Sequence, residues 1–255
     1  AQPHLAGAII PDTGAICRLG LPMESVYLLG GGAAALIGLG AWLLFPRYAQ
    51  PVAQRKHLIR RRRYWLYYAL TFMAGARRQI FIVFAGFLMV EKFGFDAAAI
   101  AAMFLVNGVL NMLLAPRIGR LIGKWGERRA LTFEYIGLIG VFTAYAFVET
   151  AWVAVALFIL DHLFFTMAIA IKTCLQKIAD PADLAPTAGV AFSINHIAAV
   201  GLPAFFGIVW VHAPSAVFLS GAALAACSLM QARLIPLSPE PGMEVVQPLG
   251  SRAVN

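Results

Sequence analysis

Residues 97–129 read AAAIAAMFLVNGVLNMLLAPRIGRLIGKWGERR. Positions 97–115 carry no charged side chain, whereas 116–129 carry five bases: Arg117, Arg120, Lys124, Arg128 and Arg129. About 20 mostly apolar residues, rising 1.5 Å each, cross the ~30 Å hydrocarbon layer of a bilayer. The first part therefore reads as a membrane helix and the second as a basic loop at its end. The same reading extends in both directions, because apolar stretches also occupy 26–45, 64–90, 130–148, 151–171, 187–211 and 214–232. All seven must be helices, since a backbone in lipid has to satisfy its amides within the segment and no alternating barrel strands occur. The expected fold class is an all-α integral membrane protein with seven transmembrane helices.

Composition supports this. The chain is 61% hydrophobic and 13% charged, with a mean hydropathy of +0.78. Soluble domains run about 45–50% apolar and about 25% charged, so a water-soluble globule and a disordered chain are both set aside. The net charge of +8 suggests nucleic acid or an anionic membrane surface as partner, and the placement of the bases decides between them. Loop 46–63 holds Arg47, Arg55, Lys56 and Arg60–Arg63; loop 116–129 holds the five above; 172–186 adds Lys172 and Lys177; the tail adds Arg233 and Arg252. These four segments lie on one side of the membrane and carry sixteen bases, against Lys92 alone in the loops opposite. By the positive-inside rule that side is expected to be cytoplasmic, with the C-terminus inside, in a bacterial inner membrane. Arg60–Arg63 abut a span and read as an anchor to anionic lipid headgroups, with no nucleic acid as partner. Cys17, Cys174 and Cys227 offer neither a disulfide framework nor metal spacing, and no cofactor is implied. The lead 1–25 lacks the basic start of a secretory signal; it begins with Ala, so the chain is expected to be a fragment.

The spacing divides the chain into a lead (1–25), one helix (26–45), a long basic linker (46–63), six closely spaced helices (64–232) and a tail (233–255). The loop Gly119-Arg120-Leu121-Ile122-Gly123-Lys124-Trp125-Gly126-Glu127-Arg128-Arg129 resembles the signature loop of the major facilitator superfamily, G-x-x-x-D-[RK]-x-G-[RK]-[RK]. It agrees at Gly119, Lys124, Gly126 and the closing arginines. It departs at Gly123, where the family often has Asp, and at Glu127, where a base is common. Glu134 is the candidate for the missing carboxylate, as a partner of Arg128 or Arg129. The resemblance implies that 26–45 corresponds to the sixth helix of a twelve-helix transporter and 64–232 to its C-terminal six-helix half. The missing N-terminal half then becomes an expected partner, and the loop, with Glu134, a conformational device.

Polar groups inside the spans outline a site. A charge at mid-bilayer costs at least ~2.5 kcal/mol, so it survives chiefly beside a cavity or a partner. Arg77, Arg78 and Gln79 sit at the middle of span 64–90, and Asp161 and His162 at the middle of span 151–171. Neighbouring helical residues point ~100° apart, so one arginine is expected to meet Asp161 and the other to face a central cavity. Asn107 and Asn111 share one helical face, and Asn195 and His196 lie near mid-depth of span 187–211, which Pro203 could kink. Taken as two triples of helices, the first and second members carry these groups while the third are nearly plain, as in transporters built from inverted repeats. Arg77, Arg78, Gln79, Asn107, Asn111, Asn195 and His196 are thus candidate substrate contacts, and Asp161 and His162 candidate proton acceptors. Lys172 is expected to snorkel to the inner surface; Tyr67 and Phe165 read as packing or belt residues.

The expected function is secondary active transport of a small solute, anionic because a guanidinium fork suits a carboxylate. A seven-helix receptor or retinal pump is the competing membrane reading, but 214–232 has no lysine for a Schiff base. A membrane-embedded enzyme would have to use Ser193 and His196, three apart, without a Gly-x-Ser-x-Gly elbow.

Overall fold

The computed structural model describes residues 23–46, 52–53, 55 and 61–246. Cys17, Arg47, Lys56, Arg60 and Arg252 lie outside the described residues. Among the described residues seven long helices make up the fold: α1 (Met23–Leu44), α2 (Arg62–Phe93), α3 (Ala97–Trp125), α4 (Glu127–Ala146), α5 (Ala151–Ile178), α6 (Leu184–His212) and α7 (Pro214–Ala232). All but α4 are both long and apolar enough to cross a membrane. At 20 residues α4 has the length; Glu127, Arg128, Arg129 and Glu134 lower its apolarity. The protein is an all-α integral membrane protein, as its sequence implies.

The basic loop expected at 116–129 is not a loop. Helix α3 runs on to Trp125, with the guanidinium groups of Arg117 and Arg120 folded back onto the carbonyls of Leu113 and Pro116. One residue makes the turn: Gly126 at φ +81°, a region that side-chain-bearing residues avoid. The reversal from α2 to α3 is equally tight. Gly94 adopts φ +67°, Phe95 donates its N–H to the Met89 carbonyl at 3.0 Å, and Asp96 caps α3 by accepting from the Ala99 N–H at 2.7 Å. Helix α5 extends to Ile178, past the expected end at 171, with a break at Met167–Ala168. Helix α2 contains a π-helical stretch, Phe81–Ala85, immediately beyond its arginines.

The packing of α2–α7 repeats. Helix α4 packs along α7; α2 packs on α6 and α7; α5 packs on α3 and α4. Exchanging the triple α2–α4 for α5–α7 maps α2–α6 onto α5–α3, α2–α7 onto α5–α4, and α4–α7 onto itself, so two similar units interlock, each first member packing on the second and third of the other triple. Helices α3 and α6 are the least covered of the six, and α1 is exposed along nearly its whole length. At the basic end the linker is tied to the α5–α6 turn. Arg55 and Arg61 reach the buried Asp183 carboxylate at 2.6 and 3.2 Å.

The core is aromatic where α2, α4, α5 and α7 meet. Phe81 lies edge-on to Phe142 and Tyr145, Tyr145 stacks on Phe218, and the Tyr145 hydroxyl donates to the Ala154 carbonyl at 2.6 Å. Gly221 of α7 sits directly against the Phe142 ring, where any Cβ would overlap it. A small residue here lets two helices approach closely, the usual device where apolar surface alone gives helices no preference over lipid. Gly221→Leu is expected to force α4 and α7 apart at a cost of about 1–3 kcal/mol, lowering the melting temperature in detergent. Gly38→Leu, in open space on α1, should leave it unchanged.

Candidate functional site

The two arginines of α2 part company. Arg77 is fully buried among α2, α4 and α7: its guanidinium pairs with Glu134 at 3.7 Å, donates to the Ser228 hydroxyl and lies 4.5 Å above the Tyr135 ring. The expected pairings are corrected here. Glu134 is no partner of Arg128 or Arg129, because five or six residues along a helix bring it about 140° or 240° round from them, into the bundle. Nor does Asp161 come within ion-pairing distance of either arginine. It is itself buried, with Oδ1 lacking a hydrogen-bond partner.

Arg78, one residue on, opens onto a cavity of about 860 Å³ bounded by α2, α3, α5 and α6. Neither α4 nor α7 contributes to its wall, so the third member of each triple stands behind the site. The α2 face comprises Tyr67, Thr71, Ala74, Gly75, Arg78, Phe81 and Ile82, a stripe that recurs with each helical turn. Asn111 comes from α3 and Asn195 from α6. Helix α5 contributes Asp161, Phe165, Ala168, Lys172 and Gln176, again at steps of three and four, together with His162. The absence of a side chain at Gly75 lets the Asn195 amide lie against α2; a Cβ there would overlap its oxygen. The Arg78 guanidinium lies 5.5 Å from the centre of the Phe165 ring. His162 is boxed by Phe81, Phe104 and Phe158 and donates Nδ1–H to the Phe158 carbonyl at 3.1 Å, which leaves Nε2 as its acceptor.

Of the residues singled out in the sequence, Arg78, Asn111, Asn195, Asp161 and His162 come together on this wall. Arg77, Gln79, Asn107 and His196 do not. Asn107 is buried with neither amide atom hydrogen-bonded, and His196 is exposed, with its ring on Phe192 and Nδ1 on that residue's carbonyl. Ser193 likewise bonds to its own helix, at Gly189. Lys172 and Gln176 were missed. The three-turn spacing from Asp161 to Lys172 carried the signal, masked by the assumption that the lysine snorkels out. Neither Arg78 nor Lys172 belongs to any ion pair among the described residues.

The loop residues divide as well. Gly119 lies within α3 facing open space, Lys124 is exposed, and Gly126 makes the turn. The ion pair of this segment belongs to Glu127, buried and bonded to Lys177 of α5 at 2.6 Å. Arg128 and Arg129 instead border a second, smaller pocket on the flank of α4. Among the described residues no group of His, Cys, Asp and Glu is arranged to hold a metal.

The Major Facilitator Superfamily model matches residues 3–207. No curated protein and no solved structure matches the chain. With most of its length covered, this chain belongs to the Major Facilitator Superfamily, a family of membrane transporters for small molecules.

The different settings of the two arginines have measurable consequences. Arg77→Ala strands the Glu134 carboxylate in the bundle and is expected to cost about 3–5 kcal/mol, whereas Arg78→Ala should stay within about 0.5 kcal/mol of the parent. Thermal unfolding in detergent reads both. The double variant Arg77→Met/Glu134→Leu should recover most of the loss.

Proposed function

We propose that the cavity is one wall of a translocation path for a small anionic solute, moved by alternating access and coupled to protons. The observation that carries this reading is the pair of cations, Arg78 and Lys172, that line one cavity without an ion-pair partner among the described residues. A carboxylate fits the fork of Arg78 bidentately, Lys172 adds a mobile point charge, and the amides of Asn111 and Asn195 supply hydrogen bonds. Asp161 and the free Nε2 of His162 take the proton, because they lie on the same wall within the membrane. Arg77 acts by positioning helices, and Gln79, Asn107 and His196, off the cavity wall, do not touch the solute. The Glu127–Lys177 pair, with Gly126 as its hinge, fastens the basic end of α4 to α5 and releases when the bundle rocks.

The opposite wall comes from an N-terminal six-helix half to which α1 belongs. Helices α3 and α6 support this, since they lend Asn111 and Asn195 to the cavity and leave Leu105, Met112, Ile197 and Val200 exposed. The chain by itself is accordingly expected to show no uptake. The basic end faces the cytoplasm of a bacterial cell, with the chain in its inner membrane.

Uptake of labelled mono- and dicarboxylates by cells producing this chain together with an N-terminal half tests the path. Arg78→Ala should cut transport by at least tenfold and Asp161→Asn should abolish its acceleration by an inward proton gradient. Transport untouched by both Arg78→Ala and Lys172→Ala would remove the anion clamp. Orientation is read separately: a fluorescent protein fused after Asn255 should light up, while an alkaline phosphatase fused there should stay inactive.

A further inference from the structure

The second pocket, about 390 Å³, is bordered by Arg128, Arg129 and Arg233 and walled by Phe133, Ile136 and Leu237. It shares no residue with the large cavity. Its helices, α4 and α7, stand behind that cavity and contribute nothing to it, so it belongs to the flank that meets lipid. We propose that it binds the phosphate of an anionic phospholipid, with the three guanidinium groups on the headgroup and the apolar wall along the upper acyl chains.

Three features of the pocket lead there. First, none of the three arginines takes part in an ion pair among the described residues. The acids nearest Arg128 and Arg129 along the chain are already engaged: Glu127 holds Lys177, and Glu134 turns inward to Arg77. Three positive charges without an ion pair among the described residues thus border one pocket and are open to an anion from outside the protein. Second, the wall is apolar and uncovered, with Phe133 49%, Ile136 56% and Leu237 68% exposed, so a freely soluble anion would leave it facing water. Third, charge and apolarity are ordered along the membrane normal. Arg128 and Arg129 occupy the first turn of α4 and Arg233 follows the end of α7, while Phe133 and Ile136 lie one and two turns deeper; Leu237, beside the Gly126 turn, caps the pocket at the charged level. Seven residues at 1.5 Å put Ile136 roughly 10 Å inside Arg129, which matches the step from phosphate to hydrocarbon in one leaflet. Trp125, edge-on to Phe133 at 5.9 Å, marks the same interface. Basic pockets between helix ends on the basic side of membrane proteins are suited to such headgroups.

Native mass spectrometry of the full chain in a non-ionic detergent tests this, with phosphatidylglycerol, phosphatidylcholine and inorganic phosphate as probes. Phosphatidylglycerol should be retained in preference to phosphatidylcholine and should not be displaced by millimolar inorganic phosphate. Each base is expected to contribute about fivefold near the surface, so Arg128→Gln/Arg233→Gln should weaken retention by roughly 25-fold. Arg117→Gln/Arg120→Gln removes the same charge from α3 outside the pocket and should leave retention unchanged. Equal retention of the two lipids by the parent chain, equal losses in the two double variants, or displacement by inorganic phosphate would each overturn the proposal. The lipid preference is read on the unaltered protein, so the test stands even if a variant folds poorly.

Discussion

A guanidinium buried among membrane helices is the constraint around which this bundle is arranged. Arg77 can exist there only because three neighbours answer it at once: the Glu134 carboxylate and the Tyr135 ring from α4, and the Ser228 hydroxyl from α7. An unpaired charge at that depth would cost several kcal/mol, far more than apolar contacts between helices in lipid could offset. The pairing therefore fixes the rotation of α2 about its axis relative to α4 and α7. Glycine at 221 closes the same junction by admitting the Phe142 ring.

Once that rotation is set, the rest of the α2 surface follows. Arg78 comes round by about 100° and faces the cavity, and the stripe that includes Thr71 and Gly75 lines the space beneath it. Gly75 in turn admits Asn195, so the seam between α2 and α6 brings an amide into the same cavity. The proposed solute contacts thus depend on an ion pair that no solute would touch. The π-helical stretch Phe81–Ala85 begins three residues after Arg78. Such bulges are frequent at functional sites, and this one lies next to the arginine that faces the cavity.

At the basic end the charges do different work. Buried carboxylates, Glu127 and Asp183, each capture bases from elsewhere in the chain, Lys177 for one and Arg55 and Arg61 for the other. These contacts join α4 to α5 and the linker to the α5–α6 turn. Bases left over, on the flank formed by α4 and α7, are the ones proposed to hold a lipid. A net positive end is therefore not a uniform field: part of it is neutralised inside the fold and part is presented to the bilayer.

Hydropathy and the spacing of charges determined the class of this protein from sequence alone, because the length of an apolar helix is set by the thickness of the membrane and needs no knowledge of neighbours. The six-helix unit and its division into two triples were legible for the same reason. Which partner each charge meets was not legible, since helical periodicity gives the angle between Arg77 and Arg78 but not the direction of either. That direction is decided by residues far away in sequence, Glu134 and Ser228, through contacts formed only when α4 and α7 close on α2. The same holds for Lys172, whose long stem could have reached either way, and for Gly126, where a single residue turns what composition suggested was a loop of fourteen. Apolar length placed the helices along the chain; tertiary packing chose the facing of the charged side chains, because in lipid the decisive energies come from pairing buried charge and not from hiding apolar surface.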